Sequence, residues 1–159
     1  MDSGKRFEER FSASLKALPG WSHRIEDGGR GSFNKQPGDY LYGPEGGGMV
    51  LIECKAAKGR FELRRIGAGE KDGQLAQLLE FQAKDRRSVV AINFYGDDYR
   101  KHNRCILIPA LFFIGVEGAS ITEEQAARMG VECPRVKIGK EYGYDLSCLT
   151  EWIAYRGRQ

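Results

Sequence analysis

No two cysteines in this 159-residue chain stand at Cys-x-x-Cys spacing, and neither histidine sits where a zinc finger would need it. Cys54, Cys105, Cys133 and Cys148 therefore read as reduced core thiols, and no zinc site is expected. Long apolar runs are missing too. The longest, Ile106 to Val116, is interrupted by Pro109 and falls short of the roughly 20 residues a helix needs to span a bilayer. Met1 to Glu9 is charged where a secretory signal would be apolar. No repeat or low-complexity block divides the chain, so residues 1–159 are expected to form a single domain, long enough to build a core without staples. These absences point to a soluble protein of the reducing cytoplasm, without a membrane partner.

The formal net charge is only +3, but the basic residues are unevenly placed. Lys55, Lys58, Arg60, Arg64 and Arg65 crowd one stretch in which Glu62 is the only acid. A polyanion suits such a patch, and a solvated charged loop is the plain alternative.

Periodicity supplies the elements. Gly4 to Ala17 reads as an amphipathic helix with Phe7, Phe11, Ser14, Leu15 and Leu18 near one stripe, closed by Pro19-Gly20. Trp21 to Ile25 is a candidate first strand. Asp27 to Pro37 is a polar, glycine-rich loop carrying Arg30, Ser32, Asn34 and Lys35. Asp39 to Tyr42 and Met49 to Ala57 flank the turn residues Gly43 to Gly48, the pattern of a hairpin. Gly67 to Asp72 reads as a loop, Gly73 to Lys84 as a helix with Gln74 in its first turn, Ser88 to Phe94 and Cys105 to Pro109 as strands. Asp97 to Asn103 is a polar turn between those strands. Thr122 caps a short helix to Met129, and Asp145 caps a last helix, Leu146 to Tyr155. The apolar run Ala110 to Val116 is either core or a subunit interface. This order fits an α/β sandwich around a mixed sheet.

The strand Met49 to Ala57 carries the chemistry. One face, Val50, Ile52, Cys54 and Ala56, is apolar throughout; the other starts as Met49 and Leu51 and then changes to Glu53 and Lys55. Such a strand is buried on both faces until one face opens onto a cleft at its C-terminal half. A carboxylate and an ammonium there are costly to desolvate unless paired or bound to a metal. The hairpin brings Asp39 toward Glu53. Two carboxylates and a lysine suit Mg²⁺, which takes oxygen ligands at about 2.0–2.1 Å and keeps waters for a phosphate to replace. The Cys54 carbonyl can add an oxygen, and Lys55 can orient a nucleophile or stabilise charge on a phosphate. The plain alternative is a structural Glu53–Lys55 ion pair.

This arrangement resembles the PD-(D/E)xK nuclease superfamily, and within it the archaeal-type Holliday junction resolvases, with the RecU resolvases as relatives. Gly4-x-x-x-Glu8 with Phe11 and Leu15 is similar to the family's first-helix pattern. Asp39 with Glu53-Cys54-Lys55 matches its acidic pair and lysine, Gln74 to Phe81 its Gln-led helix, and Gly143-Tyr144-Asp145-Leu146 its C-terminal motif. Gly38 separates Pro37 from Asp39, so the Pro-Asp pairing is not literal.

The resemblance implies a restriction-endonuclease-like fold, a central mixed β-sheet flanked by α-helices. Its implied catalytic set is Glu8, Asp39, Glu53, Lys55, Gln74 and Ser32, with Glu9 in place of Glu8 if the helix register differs by one. The implied metal ligands are Asp39, Glu53, the Cys54 carbonyl and Glu8 through a water, for Mg²⁺ or Mn²⁺, with no small-molecule cofactor. Arg30, Ser32, Lys35, Lys58, Arg60, Arg64 and Arg65 would contact DNA, and Ser32 would lie on a mobile loop near the scissile phosphate. The implied activity is a nucleoid-associated homodimer cutting opposed strands of a four-way junction. Two other readings stand beside it: a restriction-like or repair endonuclease acting on linear or damaged DNA, and a junction-binding protein without catalysis.

Overall fold

The computed structural model describes residues 2–26 and 38–150. Its first element, α1 (Ser3–Lys16), begins at an Asp2 cap whose carboxylate accepts the Gly4 N–H at 3.0 Å. Phe7, Phe11 and Leu15, spaced by four, form its buried stripe.

Six strands make the main sheet, in the order β1 (Trp21–Arg24), β2 (Tyr40–Gly43), β3 (Met49–Lys58), β5 (Arg86–Tyr95), β6 (Asn103–Pro109) and β8 (Val131–Cys133). Only β3 and β5 run parallel, so the sheet is mixed. Parallel neighbours need a crossover, and here β4 (Phe61–Glu62), a 3₁₀ turn (Leu63–Ile66) and α2 (Gln74–Phe81) supply it.

Alternation on β3 decides the two layers. Val50, Ile52 and Cys54 join Phe7, Phe11 and Leu15 in one core. Leu51 and Ala57 face the other way, into a second core with Leu75 and Leu78 of α2 and with Ala126 of α3 (Glu123–Met129). Each fully buried aliphatic or aromatic side chain contributes about 1.5–3 kcal/mol, so two such cores hold the sheet firmly between its helices. The expectation of an α/β sandwich on a mixed sheet is met.

Several differences from the sequence reading have physical causes. The helix expected to reach Lys84 stops at Phe81, where Gln82 turns extended and its side chain accepts the Ser88 N–H at 3.1 Å. Ala110 to Phe113 forms a 3₁₀ turn that splits the apolar run: Ala110 and Phe113 are core, while Leu111, Phe112 and Ile114 are exposed. Two strands of an antiparallel hairpin, β9 (Arg135–Ile138) and β10 (Glu141–Tyr144), were not expected, nor was β8, nor the pairing of β4 with β7 (Ser120–Ile121). They are only two to four residues long, too short for alternation to mark them as strands. The Thr122 cap is confirmed as a full capping box with Gln125. Asp145 accepts the Ser147 N–H at 3.0 Å, while the second half of the helix expected after it lies outside the described residues. Among the described residues no helix is long and apolar enough to cross a membrane.

Candidate active site

The β2–β3 register places the first acid. Tyr40 pairs with Ile52, and the Asp39 N–H also donates to the Ile52 carbonyl at 2.8 Å, which holds Asp39 against β3 beside Glu53. The Asp39 carboxylate then accepts the Cys54 N–H at 2.7 Å. In a strand the N–H and C=O of one residue project to the same side, so the Cys54 carbonyl faces the edge that Asp39 occupies. Gly38 permits this close approach: a Cβ there would lie 2.9 Å from Leu51 Cδ1 and 3.0 Å from the Ile52 carbonyl oxygen.

Glu53 is 2% exposed. Its Oε1 accepts from Lys55 Nζ and from Gln74 Nε2, each at 2.9 Å. Its Oε2 is buried and has no hydrogen-bond partner. Burial first, and the Asp39 charge second, push the Glu53 carboxyl up to about 7; Lys55 and Gln74 pull the other way without restoring the usual range. Gln74 reaches Glu53 because α2 starts at a tight loop: Gly67 has φ 66°, and a Cβ on it would lie 2.9 Å from Gly73 Cα.

Glu8 arrives from the α1 side of the sheet. Its side chain is paired with Arg24 at 3.3 Å, its backbone carbonyl accepts the Tyr40 hydroxyl at 3.2 Å, and its charge acts on Tyr40 and the Cys54 thiol. Burial pushes Tyr40 up to about 12, so the phenol stays a neutral donor. The β3 carboxylate and the helix acid thus flank the strand end from its two faces.

The basic patch is partly committed within the fold. Arg65 donates to the Ala56 carbonyl at 2.6 Å and lies over the Phe61 ring, Arg60 donates to Ser120 Oγ at 2.9 Å, Lys58 is paired with Asp97 and Arg64 with Glu62. Lys58 and Arg64 remain mostly exposed, so these surface pairs can exchange for phosphate at little loss. Beside them a cleft of about 450 Å³ runs between the start of α1 and the end of β3. Ser32, Arg30 and Lys35 lie outside the described residues. Sequence reading missed Arg24 as the partner of Glu8; an exposed edge strand carries no signal for it.

Among the described residues no three His, Cys, Asp or Glu side chains group as metal ligands. The donor set is instead two carboxylates, one with a buried unsatisfied oxygen, and a strand carbonyl. That set fits a hard divalent cation that keeps several waters, and it answers the question the unpartnered oxygen raises.

A mixed sheet of six strands flanked by α-helices gives the α/β architecture of a restriction-endonuclease-like fold. Among solved structures the chain is similar to Hjc, a Holliday junction resolvase from the archaeal hyperthermophile Archaeoglobus fulgidus, with a TM-score of 0.52 and 17% identity over 82% of this chain and 92% of that one. The likeness is one of fold. No family model and no curated protein matches the sequence.

Proposed function

We propose that this chain is a divalent-metal-dependent, structure-selective DNA endonuclease that resolves four-way junctions by paired nicks as a homodimer inside the cell. The observation that carries the reading is Glu53 Oε2, a buried carboxylate oxygen left without a partner beside a second carboxylate. A buried carboxyl oxygen left without a partner is unfavourable by about 1–3 kcal/mol, and such an arrangement is maintained where a cation completes it.

Asp39, Glu53 and the Cys54 carbonyl would hold Mg²⁺ or Mn²⁺, with Glu8 reached through a water. When bound, the cation supplies Lewis acidity to a phosphodiester and lowers the pKa of a water. Asp39 does two things at once, holding the Cys54 backbone by its carboxylate while its charge adds to burial in raising the Glu53 carboxyl. Gln74 donates to Glu53 Oε1 and so turns Oε2 away from α2. Lys55, one-fifth exposed, reaches Glu53 from the cleft side and can orient a water or stabilise charge on the departing oxygen. Lys58, Arg60, Arg64 and Arg65, with Arg30, Ser32 and Lys35 from the sequence before Asp39, would seat the phosphate backbone, and phosphate contacts position without reading sequence. A two-fold dimer presents two such sites to a junction's two opposed strands.

The test is cleavage of a synthetic four-way junction against a linear duplex of the same arms, in Mg²⁺. Paired symmetric nicks in the junction are expected. Cutting of linear duplex with equal vigour would point to a restriction-like or repair endonuclease, and binding without any nicked product would reduce the chain to a junction-binding protein.

A further inference from the structure

The second concentration of positive charge lies away from the basic stretch after β3. Arg6 and Arg10 project from one face of α1, four residues apart, and meet Arg100 from the β5–β6 turn and Arg135 from β9 around a pocket of about 290 Å³. At 3.6 residues per turn, Glu8 lies about 200° round the axis from Arg6, so the pocket and the acid occupy different flanks of the helix.

Its construction is specific. Arg135 Nη1 donates to the Arg100 carbonyl at 3.1 Å, joining hairpin to turn. Arg10 Nη1 donates to the Tyr142 carbonyl at 2.8 Å and pairs with the exposed Glu141 at 3.1 Å. Arg6 lies 4.9 Å over the Tyr99 ring, and the Tyr99 hydroxyl is tied to Asn93 at 2.8 Å. Beneath them Asn93, Asn103 and Tyr144 form a buried floor in which each donates to or accepts from another. Asp98, on the same turn, accepts the Arg100 backbone N–H at 3.0 Å. Among the described residues, Arg6, Arg100 and Arg135 have no carboxylate partner, so four arginines line the pocket against one paired acid. Like charges gathered on a fixed floor repel, and an anion reverses that balance; the fork of an arginine matches phosphate oxygens in particular.

We infer that Arg6, Arg10, Arg100 and Arg135 form a second phosphodiester-binding pocket, which holds the backbone of a DNA arm on the flank of α1 opposite Glu8. The inference rests on DNA being the ligand, as proposed above, and not on cleavage. It gives the chain two separated phosphate contacts and thus a means of fixing the angle between an arm and the nicking centre.

The experiment is junction binding by the full chain in EDTA over a series of salt concentrations, comparing wild type, Arg6→Gln/Arg135→Gln, Arg6→Lys/Arg135→Lys and the exposed control Lys16→Gln. Loss of one phosphate contact should weaken binding of the Gln pair roughly tenfold and make its log–log salt slope less negative by about one. The Lys pair keeps its charge and should hold the wild-type slope, which a variant damaged in folding would not. A slope unchanged in the Gln pair, or changed as much in Lys16→Gln, overturns the pocket, as does a wild-type chain that binds no DNA. Titration with inorganic phosphate separates the sources: saturable binding of free phosphate, lost in the Gln pair while junction affinity stays put, would make this a small-anion site and overturn the DNA assignment. Failure of the wild type to nick in Mg²⁺ while the Gln pair loses its salt slope would sink the nuclease reading and leave the pocket standing.

Discussion

The Asp39 carboxylate accepts the Cys54 N–H at 2.7 Å, so the acid at the end of one strand is clamped to the backbone beside the acid of the next. That single bond makes Asp39 a structural cap for the strand, while its charge adds to burial in raising the Glu53 carboxyl. The two roles can be separated by substitution.

Asp39→Asn keeps an oxygen for the Cys54 N–H and removes the charge. The fold should survive with a thermal midpoint near wild type, while Mg²⁺-dependent nicking falls at least about 100-fold, the scale of losing one preorganised charged group in an active site. Activity close to wild type would remove Asp39 from the site.

Glu53 makes stability depend on pH with a definite sign. Its carboxyl is raised from 4.5 to about 7, so between those values the folded chain binds more protons than the unfolded one and stability falls as pH rises. Relative to Glu53→Gln, the metal-free wild type should therefore lose stability between about pH 4.5 and 7, by on the order of 2 kcal/mol given its burial. Adding Mg²⁺ at pH 8 should raise the wild-type midpoint and leave Glu53→Gln unmoved. Denaturant melts across pH measure both, and parallel pH curves for the two proteins would contradict the buried carboxyl.

Gly38→Ala would push a methyl into Leu51 and the Ile52 carbonyl, and so move Asp39 off its register. A stability loss of about 1–3 kcal/mol is expected, with a larger loss in nicking than the melt alone explains. Gly46→Ala in the same hairpin meets nothing within 4 Å and serves as the neutral control.

Phe112, 54% exposed between exposed Leu111 and Ile114, is where a homodimer would bury apolar surface. Phe112→Glu should leave the monomer's melt within about 0.5 kcal/mol, as a substitution at an exposed site does, and shift sedimentation from dimer to monomer. Paired nicks would then become single nicks. A wild-type chain that sediments as a monomer at micromolar concentration would end the dimer proposal.

Much of this was legible before any coordinates. The β3 strand revealed its two-sided burial and its opening because alternation is a property of the chain alone, and Asp39 followed from the turn residues between two strands. The register of the amphipathic helices could be read for the same reason. The β9–β10 hairpin could not, because its strands are only four residues each, and what holds them is Ser14 of α1 accepting the Tyr144 N–H at 2.8 Å, a contact 130 residues apart in sequence. Nor could the arginine pocket that this hairpin completes.

Sequence by itself singled out Asp39, Glu53, Lys55 and Gln74 as candidates, since carboxylate, lysine and glutamine identities and their strand or helix parity are local. Tertiary structure decided their state. Packing of α2 over the sheet adds Gln74 to Lys55 as a donor to one Glu53 oxygen while the other is buried with none, and that burial, with the Asp39 charge from the β2 side, raises its pKa. Desolvation and through-space charge depend on which elements meet, and a residue's neighbours along the chain do not report that.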